Sequence, residues 1–174
     1  MRDDASDAPR RDDFVIRPAQ MTDADAIAAA HRDSIQSIGP RYYDAAVVSA
    51  WASGLSRQLY MRAMVRGEKF FVAVPAQGGR EILGFSSHRV DGDEHGTSVY
   101  VRGNAARHGI GTALMHAAES SARAAGAAHI DIDASLSAVD FYRANGFVET
   151  GRGEHRLPSG DAMACVFMRK TLAR

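Results

Sequence analysis

Apolar residues along this chain alternate between two periods, and each switch marks an element. Phe14-Val15-Ile16 is a short β-type run closed by Pro18. From Thr22-Asp23-Ala24-Asp25 the period lengthens. Ala26, Ile27, Ala30 and Ile35 form a helical stripe, Thr22 or Asp23 supplies the cap, and Gly39-Pro40 stops the helix. Tyr42 to Arg66 holds two more helical patterns broken near Ser53-Gly54, with Val47, Val48 and Trp51 on the first and Leu59, Met61, Met64 and Val65 on the second. Lys69–Pro75 and Glu81–Val90 then read as strands joined by the turn Gln77-Gly78-Gly79-Arg80. Asp91-Gly92-Asp93 turns again into a strand ending at Val101, which completes an antiparallel meander.

The helical period returns from Gly109 to Gly126. The strand His129–Ser135 after it must lie parallel to the strand ending at Val101, because a crossover helix intervenes. A short helix spans Ser135 to Asn145, with Ser135 as its cap and Gly146 as a left-handed stop. Phe147–Gly151 and Ala162–Lys170 close the chain as a hairpin through Leu157-Pro158-Ser159-Gly160. The pattern predicts an α/β fold with a mixed sheet of about seven strands, a β-meander, a parallel central pair and a C-terminal hairpin. Charged residues dominate Met1 to Asp13, a solvated, disordered tail before a single domain over residues 14–174.

A length of 174 residues with 45% hydrophobic content supports one sizeable core. Lys plus Arg and Asp plus Glu both number 21, so net charge argues for neither a nucleic-acid nor a membrane partner. The lone cysteine, Cys165, cannot close an internal disulfide. With no apolar run of membrane-spanning length and no signal peptide, the chain reads as cytoplasmic. His31, His88, His108, His116, His129 and His155 show no metal spacing, so no metal is expected.

The junction after Val99-Tyr100-Val101 carries the chemistry. A strand feeds a glycine turn, Gly109-Ile110-Gly111, that opens into a helix, where unpaired N–H groups and the macrodipole attract anions. The amides of Arg107, His108, Gly109, Ile110, Gly111 and Thr112 are the candidate phosphate cradle. Neither common nucleotide fingerprint is complete here, which points to another phosphate-bearing ligand.

The order of elements and two motifs resemble the acetyl-CoA-dependent N-acetyltransferases of the GNAT superfamily. Its signature runs Arg or Gln, two residues, Gly, one residue, then Gly or Ala. Ala106-Arg107-His108-Gly109-Ile110-Gly111 keeps both glycines and departs at Ala106, while Arg107 stands where glycine is frequent. The stretch from Ala134 to Phe147 is similar to the family's second conserved region, with Ser137 where Asn is common. The resemblance implies acetyl-CoA as co-substrate, Ser137 near the pantetheine arm or a phosphate, and Tyr142 beside the thioester sulfur as proton donor. It also implies that the backbone around Val99, Tyr100 and Val101 pairs with that arm. The position where many members carry glutamate falls on His95, next to Glu94, and either could serve as base.

Transfer to the amine of a small molecule or peptide is the activity so implied. The departures at Ala106 and His95 leave a coenzyme-A-binding sensor or interaction domain as an alternative, and a homodimer is compatible with either. Asp131 and Asp133 put two carboxylates on one face of their strand, to bind a cationic amine or to pair with arginines. Tyr42, Tyr43 and Trp51 belong to a pocket floor or to the core. Glu154-His155-Arg156-Leu157 precedes the hairpin turn that often roofs the acceptor site in this family.

Overall fold

The computed structural model describes residues 13–173. Seven strands form one sheet in the order β1-β2-β3-β4-β5-β7-β6. They are β1 Phe14–Pro18, β2 Lys69–Pro75, β3 Gly84–Asp91, β4 Glu94–Val101, β5 His129–Ser135, β6 Val148–Arg156 and β7 Ala162–Thr171. Only β4 and β5 run parallel, as the intervening helix demands. Residues 1–12 of the expected tail lie outside the described residues, while Asp13 accepts from the Ala76 amide at 2.9 Å and so extends the β1–β2 ladder.

Two helical layers cover the sheet. Helices α1 (Ala24–Ile38) and α3 (Arg57–Val65) pack Ile27, Ala30, Tyr60 and Ala63 against Phe70, Val72 and Phe85. Helix α2 (Ala45–Ala52) brings Val48 and Trp51 against Met163 of β7. Helix α4 (Ile110–Ala124) covers the opposite face, and α5 (Val139–Ala144) packs beside β5. The alanine-rich stripe of α4 brings its backbone close to the strands. Leu114 and Met115 are wholly buried there, a gain of roughly 1.5–3 kcal/mol each over exposure. Glu119 of α4, also buried, pairs with Lys170 of β7 and with Arg123 at 3.5 Å, and so ties the helix to the sheet.

Several local expectations are corrected. Asp23 does not cap α1 through its side chain. Its carboxylate turns back to the Gln20 amide at 2.7 Å and takes both guanidinium nitrogens of Arg17 at 2.7 and 2.9 Å. Ser135 ends β5 and bonds the Ser137 hydroxyl at 2.9 Å, and α5 begins only at Val139 after Ala138. Strand β3 starts at Gly84, three residues later than its apolar run suggests, because the Ile82 carbonyl is taken by the Arg102 side chain at 2.7 Å. Strand β6 continues to Arg156. It is an edge strand that is exposed along most of its length, so alternation could not reveal its reach.

The parallel pair is present as expected. It is registered at Gly96 with Asp131, and among the described residues no further ladder position joins β4 to β5. Past this bridge the two strands separate, and the cavities described next open between them.

Candidate active site

At the end of β4 the chain makes a 3-10 turn over Gly103–Ala105 and then two left-handed residues, Arg107 at φ 68° and Gly109 at φ 83°. Arg107 holds a conformation natural to glycine, which explains why glycine is frequent there in the resembling family. Gly109 is the N-cap of α4. The first amide bonded into the helix is that of Ala113, to the Gly109 carbonyl at 3.0 Å. Among the described residues nothing accepts from the amides of 107–112. Free N–H groups at the positive end of a 15-residue helix attract anions.

The turn borders a cleft of about 900 Å³, lined by Ala106, Arg107, Gly109, Gly111 and Thr112 on one side and by Val99, Tyr100 and Val101 on another. Ser137, just before α5, and Phe141 of α5 close it, with Ser37 and Arg41 on the far wall. Two predicted cradle residues contribute otherwise. The Ile110 side chain is buried against Ala73, Ala105 and Leu114, and the His108 ring turns to the Ala105 carbonyl at 3.3 Å, so only their backbone groups remain for a ligand.

Gly111 has a second reason to be glycine. A Cβ there would stand 2.9 Å from the edge of the Phe141 ring, so α4 and α5 can meet only without a side chain. Gly103 is similar, since a Cβ would collide with Ser37 of α1, and its amide donates to Asp33 at 2.8 Å. Asp33, Ser37 and Arg41 were not legible as site residues. They sit among ordinary helix and loop positions, and only the docking of α1 onto the turn brings them there.

Tyr142 stands where the parallel strands part. Its ring is buried edge-on against Phe141 and Phe147, and its hydroxyl accepts the Val99 amide at 3.1 Å. Burial pushes its pKa upward, the neighbouring Tyr100 adds to this, and the Val99 amide opposes it. The phenol is therefore protonated throughout the neutral range, and since the oxygen already accepts one hydrogen bond, its own proton is left to donate elsewhere.

A second cavity, of about 300 Å³, lies on the α1 and α3 side of the gap. Trp51, Tyr100 and Ser135 line both spaces, so the two meet between β4 and β5. Inside are His31, Tyr60, Phe85 and Met163, and charged groups line the rest: Arg66, Glu68, Arg89, Asp133 and His155. The Tyr60 hydroxyl lies 2.5 Å from His31 Nδ1, and the imidazole packs at a tilt of 42° on Tyr100 with ring centres 3.7 Å apart. Burial, with a smaller push from Arg32, lowers the His31 pKa to about 3, so the ring is neutral. Its Nε2 is buried with no partner among the described residues. Asp133 bonds His155 Nδ1 at 3.1 Å, whereas Asp131 is taken by Arg169 at 2.7 and 2.9 Å. The two alternating acids thus divide, one in an ion pair and one at the cavity.

Glu94 and His95 are not brought to this place. His95 packs on the α4 face, its Nδ1 3.0 Å from His88 Nε2, and the His88 Nδ1 lies 2.9 Å from the Ser121 hydroxyl. Neither residue lines either cavity. Of the early aromatics, Trp51 is the one shared by both spaces. Tyr43 is a brace, donating to the Ala164 carbonyl at 2.7 Å and accepting the Leu136 amide at 2.8 Å, and Tyr42 is exposed.

A helix N-terminus with free amides beside a splayed parallel pair, with a buried phenol at the splay, is the layout of an acyltransferase that takes its acyl group from a coenzyme A thioester. The family model described as the acetyltransferase (GNAT) domain matches residues 38–171. The chain belongs to the GNAT family and is an acetyl-CoA-dependent N-acetyltransferase.

Solved structures agree in fold. A GCN5-related N-acetyltransferase from Rhodopseudomonas palustris is 29% identical with a TM-score of 0.78, over 91% of this chain and 95% of that one. The PaiA N-acetyltransferase from Thermoplasma acidophilum, in complex with coenzyme A, is 17% identical with a TM-score of 0.73, over 91% and 99%. A phosphinothricin acetyltransferase from Sinorhizobium meliloti, in complex with acetyl-CoA, is 20% identical with a TM-score of 0.68, over 91% and 88%. No curated protein matches.

Proposed function

We propose that this protein acetylates the primary amine of a small molecule, with acetyl-CoA in the larger cleft and the acceptor in the smaller cavity. The observation that carries this reading is the Tyr142 hydroxyl held on the amide of Val99, which lines the larger cleft beside the β4–β5 gap. Acetyl-CoA supplies an electrophilic thioester carbonyl and a thiolate leaving group.

The chain supplies the rest. The free amides of residues 107–112 and the Arg107 guanidinium hold the phosphates, and the Ser137 hydroxyl lines the same cleft. Tyr142 delivers its proton to the departing sulfur as the amine nitrogen bonds to the carbonyl carbon and the carbon–sulfur bond breaks.

The nitrogen must lose a proton to become a nucleophile. His155 is placed to take it, because Asp133 holds its Nδ1 and leaves Nε2 as acceptor. Glu94 and His95 are given no role as base, since neither lines the smaller cavity that holds the amine and His95 is turned to His88.

The experiment is thiol release from acetyl-CoA with a panel of primary amines, alongside calorimetry with acetyl-CoA alone. Amine-dependent thiol release is expected. Tight coenzyme binding without release for any amine would favour a coenzyme sensor instead. His155→Gln should lower kcat by about 10²-fold with coenzyme binding retained. Wild-type turnover in the variant would remove His155 as base.

A further inference from the structure

The smaller cavity is electrically lopsided along β4. Residue 96 is glycine, and the guanidinium of Arg89 occupies the space its side chain would fill. A Cβ on Gly96 would stand 2.5 Å from the nearer terminal nitrogen of Arg89 and 3.0 Å from its central carbon. Arg89 thus lies across β4 at the far end of the cavity, with no ion-pair partner among the described residues. Arg66 and Glu68 line the same cavity, so the guanidinium groups outnumber this acid by two to one. Asp133, paired only with a histidine, belongs to the strand across the gap. It lies two residues beyond Asp131, the partner of Gly96, about 7 Å along the strand direction toward Tyr142.

The Asp133 carboxylate and the Arg89 guanidinium thus stand about 7 Å apart along the strands, by the same spacing. With charge-assisted hydrogen bonds of about 2.8 Å reaching inward from each end, the ammonium and carboxylate that bridge them belong to one carbon of a small molecule. Trp51, Phe85 and Met163 line the cavity with apolar surface for a side chain.

Resting on the transferase reading above, we infer that the acceptor is a small zwitterion. It is a free amino acid with an apolar side chain, its ammonium drawn to Asp133 and its carboxylate held by Arg89 in the space that Gly96 leaves open. A polyamine or simple alkylamine has no group for Arg89 and is not the substrate.

The test uses pairs that differ only in the carboxylate: L-leucine with 3-methylbutylamine, L-phenylalanine with 2-phenylethylamine, and spermidine as the polycation. Each is assayed for thiol release from acetyl-CoA with the wild-type protein, Arg89→Met and Gly96→Ala. The second variant evicts the guanidinium without removing it. The amino acids should exceed their decarboxylated partners by about tenfold or more in kcat/KM, most of it in KM. Both variants should erase that preference. A wild-type preference for spermidine or the alkylamines, or a carboxylate preference that survives in both variants, would overturn the inference.

Acceptor binding to the coenzyme A-loaded protein, followed by calorimetry, separates this failure from failure of the transferase reading. If no compound releases thiol but the amino acids bind and Arg89→Met abolishes that binding, the pocket assignment stands and the transfer chemistry falls. If no amino acid binds, the assignment falls.

Discussion

Replacing Tyr142 by Phe removes one hydroxyl and leaves the ring packed against Phe141 and Phe147. Two consequences can be separated in size. Val99 loses the acceptor of its amide at 3.1 Å, and an unsatisfied part-buried donor costs about 1–3 kcal/mol. In a chain of 174 residues each such kcal/mol is worth about 2–4 °C in Tm, so melting should fall by several degrees. The catalytic loss is larger. A positioned proton donor is worth about 10²–10⁴-fold, so kcat should drop by at least 10² while coenzyme affinity, carried by main-chain amides, stays nearly constant.

The pH profile supplies a further check. Burial raises the Tyr142 pKa above its ordinary value of 10.0, so the donor remains protonated beyond pH 10 and sets no alkaline limb below that point. Steady-state thiol release, coenzyme calorimetry and a melting curve on the same preparation measure all three. A variant that keeps half of wild-type turnover would refute the proton-donor role. An alkaline limb near pH 8 that vanishes in the variant would refute the protonation argument.

Gly111→Ala places a methyl 2.9 Å from the Phe141 ring and should destabilise by about 1–3 kcal/mol in urea titrations, with Phe141→Leu restoring most of it. If the pair is not compensating, the glycine answers to the ligand alone. Arg107→Gly relieves a left-handed backbone at φ 68° and should leave Tm equal or higher, yet weaken coenzyme A several-fold with a shallower salt dependence. Unchanged affinity would take the guanidinium out of the phosphate site. His31 has its pKa lowered from 6.5 to about 3, so the folded state disfavours its proton, and stability is lost as pH falls below 6.5. Between pH 8 and 5.5 this one group should remove about 1.4 kcal/mol, and His31→Phe should flatten that difference in urea midpoints. Parallel pH curves for the two proteins would contradict it.

Much of the fold was legible because its signals are local. Periods of 3.6 and 2 placed all five α-helices and the strands near their observed positions, and the crossover helix imposed a parallel pair. The glycine turn was legible for the same reason, since a glycine-led helix start is a short-range feature. Tyr142 was singled out through a motif, and the structure adds its Val99 contact.

The smaller cavity was not legible. Alternation says that Glu94 and His95 point to opposite sides of β4, but only the packing of α1 and α3 on one side and α4 on the other says which side faces the gap. That choice put His95 against His88 and Ser121, and it left Arg89, drawn from another strand, lying over Gly96. Asp131 and Asp133 are alike in sequence and unlike in role, because β7 brings Arg169 to the first and β6 brings His155 to the second.

By itself the sequence determined the elements, their order, the parallel crossover and the glycine turn that opens α4. The tertiary structure alone decided where β4 and β5 part, which charges border the opening and which histidine meets a carboxylate. The reason is range. Backbone periodicity and capping act within a few residues, whereas a site between two strands is made of side chains far apart in sequence, brought together only when the helices choose their faces of the sheet.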